Sequence, residues 1–111
     1  MGLGATITVR GTNNFQVHLY SHWDGDKLKG VLQAALNRGR DRWSDPSYLS
    51  RIIFSEMIQN HLMETTGYGI SNTEIPCNRP LIVDCSSKTV SIGHLDSSPI
   101  ILPMEDFIKL P

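Results

Sequence analysis

Only two cysteines, Cys77 and Cys85, occur in the 111 residues, eight positions apart. A secreted domain of this size ordinarily carries more, so free thiols in a reducing compartment are expected, although a single bridge between them is geometrically conceivable. Excess charge is also missing. Ten Lys and Arg against eleven Asp and Glu leave a formal net charge of −1, which argues against a general nucleic-acid binder while allowing a local basic patch. No apolar run approaches the length of a bilayer span, and the opening Met1-Gly2-Leu3-Gly4-Ala5 lacks the apolar core of a signal peptide. Gly2 with Thr6 matches a myristoylation site only loosely and reads as the approach to a strand. A cytoplasmic protein without membrane association is the expectation.

Catalytic signatures are missing as well. The chain has no G-x-S-x-G elbow, no P-loop, no H-E-x-x-H and no C-x-x-C. Of its histidines, His18 and His22 come nearest to ligand spacing, but four residues along a strand separates them by about 13 Å, too far to share an ion. No metal, no cofactor and no catalytic residue is expected.

What is present fits one globular unit over residues 1–111: 40% hydrophobic and 19% charged residues lie near the averages for packed domains. Ala5, Ile7 and Val9 alternate with Thr6, Thr8 and Arg10. After the turn signal Gly11-Thr12-Asn13-Asn14, the residues Phe15, Val17 and Leu19 alternate with Gln16, His18, Tyr20 and His22. Period-two alternation about a Gly/Asn turn predicts an antiparallel hairpin with one buried face. Leu28, Val31, Leu32, Ala35 and Leu36 form a helical stripe, with Asp24 or Asp26 available as cap and Gly39 as a left-handed stop. A second helix over 45–63 is capped by Ser44 or Asp45 and has Pro46 at its first position. Its apolar residues spread around most of the circumference, which predicts burial on several sides, either as the central helix or in a homo-oligomer contact.

Residues 68–70 suggest an edge strand, 71–79 a loop, and 81–85 with 89–92 a second hairpin. Residues 99–102 provide an optional last strand, and 103–108 a single helical turn. The expected fold is α+β: an antiparallel sheet of two hairpins, with two helices packed on one face, in the order ββααβββ(β).

Three places could carry chemistry. At the end of the first hairpin, Trp23 could stack on a ring while His22 and Asp24 bond to polar edges; equally, Trp23 fills the hairpin–helix junction and Asp24 caps the helix. The outward hairpin face presents Thr6, Thr8, Arg10, His18, Tyr20 and His22, suited to a ligand or partner, and also ordinary for a solvated sheet. Arg38, Arg40 and Arg42 beside Trp43 could hold phosphates, but Asp26, Asp41 and Asp45 are near in sequence, and a solvated linker is the simpler reading.

The stretch Tyr20-Ser21-His22-Trp23-Asp24-Gly25 resembles a Y-x-H-W-D-G pattern found in small proteins of phages, prophages and bacteria; Tyr48-Leu49-Ser50-Arg51-Ile52-Ile53 and Thr66-Gly67-Tyr68-Gly69-Ile70 extend the resemblance. It carries no activity and no fold. It implies a context in which small proteins act by binding, often against host defence. The expectation is a non-enzymatic binding protein using Arg10, His18, Tyr20, His22, Trp23 and Asp24. It would block a host protein or sequester a nucleotide-like ligand. The alternatives are a small hydrolase using His22 and Asp24, or a structural protein that oligomerises through the helix 45–63.

Overall fold

Two consecutive asparagines in the left-handed region begin the fold. Asn13 and Asn14 have φ of 59° and 63°, and the Phe15 N–H closes the turn on the Thr12 carbonyl at 3.2 Å. That geometry matches the right-handed twist of the strands it joins, β1 (Ala5–Arg10) and β2 (Gln16–Ser21), which pair antiparallel as the alternation predicts. The computed structural model describes residues 4–22, 27–75, 77, 80–94 and 97–111.

The chain then forms α1 (Leu28–Arg38), a short 3-10 turn at Arg40–Arg42, and α2 (Pro46–Ile58). Asp45 caps α2 by accepting from the Tyr48 N–H at 3.2 Å, with Pro46 at the first turn. The predicted caps of α1, Asp24 and Asp26, lie outside the described residues. Gly39 stops α1 without a left-handed turn, since its φ is −101°. A Cβ there would stand 3.1 Å from both the Ala35 carbonyl and Ile52 Cδ1, so glycine serves the close approach of the two helices. α2 ends five residues short of the predicted 63. Leu62 and Met63, expected inside the helix, are exposed in the turns that follow.

Four strands and a helical turn complete the chain: β3 (Tyr68–Ser71), β4 (Leu81–Asp84), β5 (Thr89–His94), β6 (Ser97–Pro103) and α3 (Met104–Phe107). The six-stranded sheet has the order β3-β2-β1-β4-β5-β6. The fold is α+β and mostly antiparallel, with one correction to the expectation: β4 enters beside β1 in parallel, Ile7 opposite Leu81 and Val9 opposite Val83. The helical turn expected over 103–108 is present as α3 and, added to the two packed helices, closes the core. α3 is short, yet Met104 and Phe107 are fully buried, and Gln33 of α1 donates to the Phe107 and Leu110 carbonyls at 3.0 Å.

One sheet face, with Ile7, Val9, Leu19, Leu81, Val83 and Val90, packs on Leu32, Leu36, Leu49 and Ile53 of the helices. Among the described residues no helix is long and apolar enough to cross a membrane.

The two edges of the sheet differ in chemistry. On β6 the Met104 N–H bonds inward to the Lys88 carbonyl at 2.9 Å, so alternation turns the main-chain groups of Ile101 and Pro103 outward, and the pairing then shifts register between Ile92 and His94 of β5, beside Pro99. Pro103 and Pro99 both lack an N–H, and prolines and register shifts are recognised ways of blunting an exposed edge. On β3 the His22 N–H bonds to the Gly67 carbonyl at 2.8 Å, and Gly69 and Ser71 follow in register, so the main chain of Ile70 faces away from β2. No proline guards that side.

Candidate functional site

The outward face of the first hairpin is closed where the sequence leaves it open. β3 and β4 both run parallel to β1, on opposite sides of the β1–β2 pair, so the chain between them must cross about three strand spacings, roughly 14 Å. Cys77 in this crossing places its Sγ 3.2 Å from Thr6 Oγ1. Thr6, Thr8 and His18 are all buried, His18 with 2% of its surface exposed. The solvated face expected for these three is therefore corrected: their side chains are buried, with Cys77 against Thr6.

The polar groups there satisfy one another in a directed chain. Arg10 Nε donates to Gln16 Oε1 at 3.0 Å, Gln16 Nε2 donates to His18 Nε2 at 3.2 Å, and His18 Nδ1–H donates to Thr8 Oγ1 at 2.7 Å. The Gln16 amide thereby fixes the imidazole tautomer. Arg10 is exposed at the hairpin tip, in a polar depression it shares with Asn14, Asn72, Asp84 and Ser86.

Farther along the sheet, Tyr20 and His22 remain half-buried and stand together. Tyr20 Oη lies 2.8 Å from His22 Nδ1, with the rings 6.3 Å apart and tilted by 51°. Gly4 lets the Tyr20 ring lie close, since a Cβ there would meet Tyr20 Cε1 at 3.0 Å. Trp23 and Asp24, the other half of the predicted corner, lie outside the described residues. Of the six predicted binding residues, the structure thus pairs Tyr20 with His22, links Arg10 to His18 through Gln16, and turns His18 inward.

The interhelical arginines are engaged locally. Arg38 pairs with Glu56 at 3.1 Å and Arg40 with Glu105 at 2.7 Å, while Arg40 and Arg42 stack over Trp43 and Tyr48. Trp43 Nε1 donates to the Leu36 carbonyl at 2.9 Å. This cluster ties the linker to the helices. Both cysteines are free. Burial first, then Asp84 and Asp45, push the Cys85 thiol from its ordinary 9.0 up to about 11.

The feature that sequence reasoning missed lies on the helical side of the β3 edge. α2 stands off from the sheet there and leaves an apolar furrow of about 330 Å3, walled by Val17, Leu19 and Ile70 from the strands and by Phe54 and Ile58 from the helix, with Ser50, Arg51 and Ser55 at its polar margin. Ile70 is 62% exposed. Its position in a period-two edge strand was a readable signal, but nothing in the spacing of the apolar helix showed that one flank would remain uncovered. Comparison with known proteins adds no relative to these observations: no protein-family model, no curated protein and no solved structure matches the chain.

Proposed function

We propose that this chain is a non-catalytic binding protein that acts by occupying a surface of another protein. The observation that carries the proposal is the uncovered β3 edge with its apolar furrow: an exposed Ile70 beside Phe54 and Ile58, on a strand with no neighbour on its outer side among the described residues. Contiguous apolar surface next to free main-chain groups characterises protein interfaces more than small polar-ligand sites. Sequestration of a nucleotide-like ligand on the hairpin face is less favoured, because Thr8 and His18 are buried and spend their polar groups on each other. The phage-type resemblance of residues 20–25 supplies the context we adopt for the partner, a protein of the host cell.

The test compares wild type with Ile70→Asp in quantitative affinity purification from host cells. Ile70 is exposed, so the variant keeps its fold, which its thermal melt checks. One host protein enriched by wild type and lost from the variant is the expected outcome. Identical enrichment by both proteins, or none by either, rejects the proposal.

A further inference from the structure

We propose that the β3 edge and the furrow beside α2 form a docking site for an extended peptide strand of a partner protein. This strand carries an apolar side chain for the furrow and a carboxylate for Arg51. The inference rests on the protein-binding reading above and deepens it by naming the form and chemistry of what is bound.

Three observations converge on that occupant. The first is main-chain: Ile70 presents both N–H and C=O outward from the sheet, a donor–acceptor pair whose spacing an added extended backbone matches in place of water. The second is shape. The furrow, about 330 Å3, lies at the small end of ligand pockets and runs beside the edge strand, between Val17, Leu19 and Ile70 on one side and Phe54 and Ile58 on the other. A strand added to β3 directs alternate side chains to this face of the sheet, one of them into the furrow. The third is charge. Arg51 is exposed at the furrow margin and has no ion-pair or hydrogen-bond partner among the described residues, whereas Arg38 and Arg40 pair with Glu56 and Glu105. A guanidinium beside an apolar furrow favours an apolar ligand that also bears a carboxylate, bound bidentately.

The opposite edge sharpens the assignment. On β6 the outward-facing Pro103 has no N–H, Pro99 has none either, and the register shifts beside Pro99, so an incoming strand meets an interrupted ladder. Strand addition is therefore directed to β3. Its four residues suit a short segment and not a long sheet extension.

The experiment is selection of a displayed library of random nine-residue peptides on wild type, Ile70→Asp and Arg51→Glu, followed by affinity measurement of the enriched peptides. Wild type is expected to enrich peptides with an apolar residue in period-two alternation and a nearby Asp, Glu or terminal carboxylate. Ile70→Asp should lose them. Arg51→Glu should shift the preference to Lys or Arg and weaken the original peptide by about three- to fivefold, the size expected for a partly exposed charge pair. N-methylation of the peptide amide facing Ile70 should weaken binding by roughly tenfold or more, while methylation of its neighbour is tolerated.

No enrichment on wild type overturns the inference, as does enrichment that survives both variants. It is equally overturned if sedimentation shows a β3-dependent dimer of this chain, or if a fatty acid competes while N-methylation has no effect. Recovery of an Ile70-dependent host protein without any peptide binding would leave the protein-binding reading standing and sink this one. Peptide binding without a host partner would do the reverse.

Discussion

Replacing Thr8 by Val tests the closure of the second sheet face directly. Valine has the shape of threonine without the hydroxyl, so the substitution removes one hydrogen-bond acceptor and little else. Thr8 is 5% exposed and His18 2%, and their contact is 2.7 Å, so the His18 Nδ1–H is left inside the protein with no acceptor. An orphaned buried donor costs about 1–3 kcal/mol. With a urea dependence of about 1–3 kcal/mol/M for a domain of this size, the midpoint should fall by roughly 1 M. His18→Leu alone orphans the Thr8 hydroxyl instead, while the exposed Gln16 turns to water. The double variant removes both halves of the bond, so its loss should fall short of the sum of the single losses by about 1–2 kcal/mol. Urea titrations followed by far-UV circular dichroism measure all four proteins. Additivity within about 0.3 kcal/mol, together with a Thr8→Val cost below about 0.5 kcal/mol, would refute the buried network and reopen that face to solvent.

Other expectations follow from single contacts. Cys85 has its folded-state pKa raised to about 11 from 9.0, so below pH 9 both states hold the proton; from pH 9 to 11 the unfolded chain loses it first and stability falls, by on the order of 2–3 kcal/mol in total. In Cys85→Ala this component of the alkaline decline should vanish, which denaturant titrations at pH 8 and 10.5 on both proteins measure. Gly11→Ala places a Cβ 2.7 Å from Pro46 Cγ, and the stiff ring cannot yield without moving the start of α2. A loss of about 1–3 kcal/mol is expected from calorimetry. Phe107→Ala empties a fully buried site and should cost about 3–5 kcal/mol, detaching the C-terminal turn from α1 as read by hydrogen exchange at Gln33 and its neighbours.

Local chemistry made part of this fold legible. The Gly11–Asn14 signal located the first turn, Pro46 marked the start of α2, and the short runs 81–85 and 89–92 about the turn Ser86-Ser87-Lys88 gave the second hairpin. What stayed hidden was relational. Alternation says which side chains share a face, but not which strand lies alongside, so nothing in Leu81 to Asp84 announced its parallel place beside β1. The same blindness affected the site. Thr6, Thr8 and His18 have the polarity of a solvated face, yet they are buried, Thr6 against Cys77 and Thr8 against His18, contacts that periodicity does not announce. At α2 the apolar circumference predicted burial on several sides, without saying which, and Phe54 and Ile58 face a furrow. Tyr20 and His22 were placed on one face by parity, and they do meet there.

The two prolines of β6 also govern what happens when copies of the chain crowd together. Contact between the β3 edge of one copy and the β6 edge of the next would be head-to-tail, the arrangement that repeats without closing and grows into fibres. Pro103, together with Pro99 and the register shift beside it, interrupts such a ladder at every junction, so each growing end is capped by its own molecule.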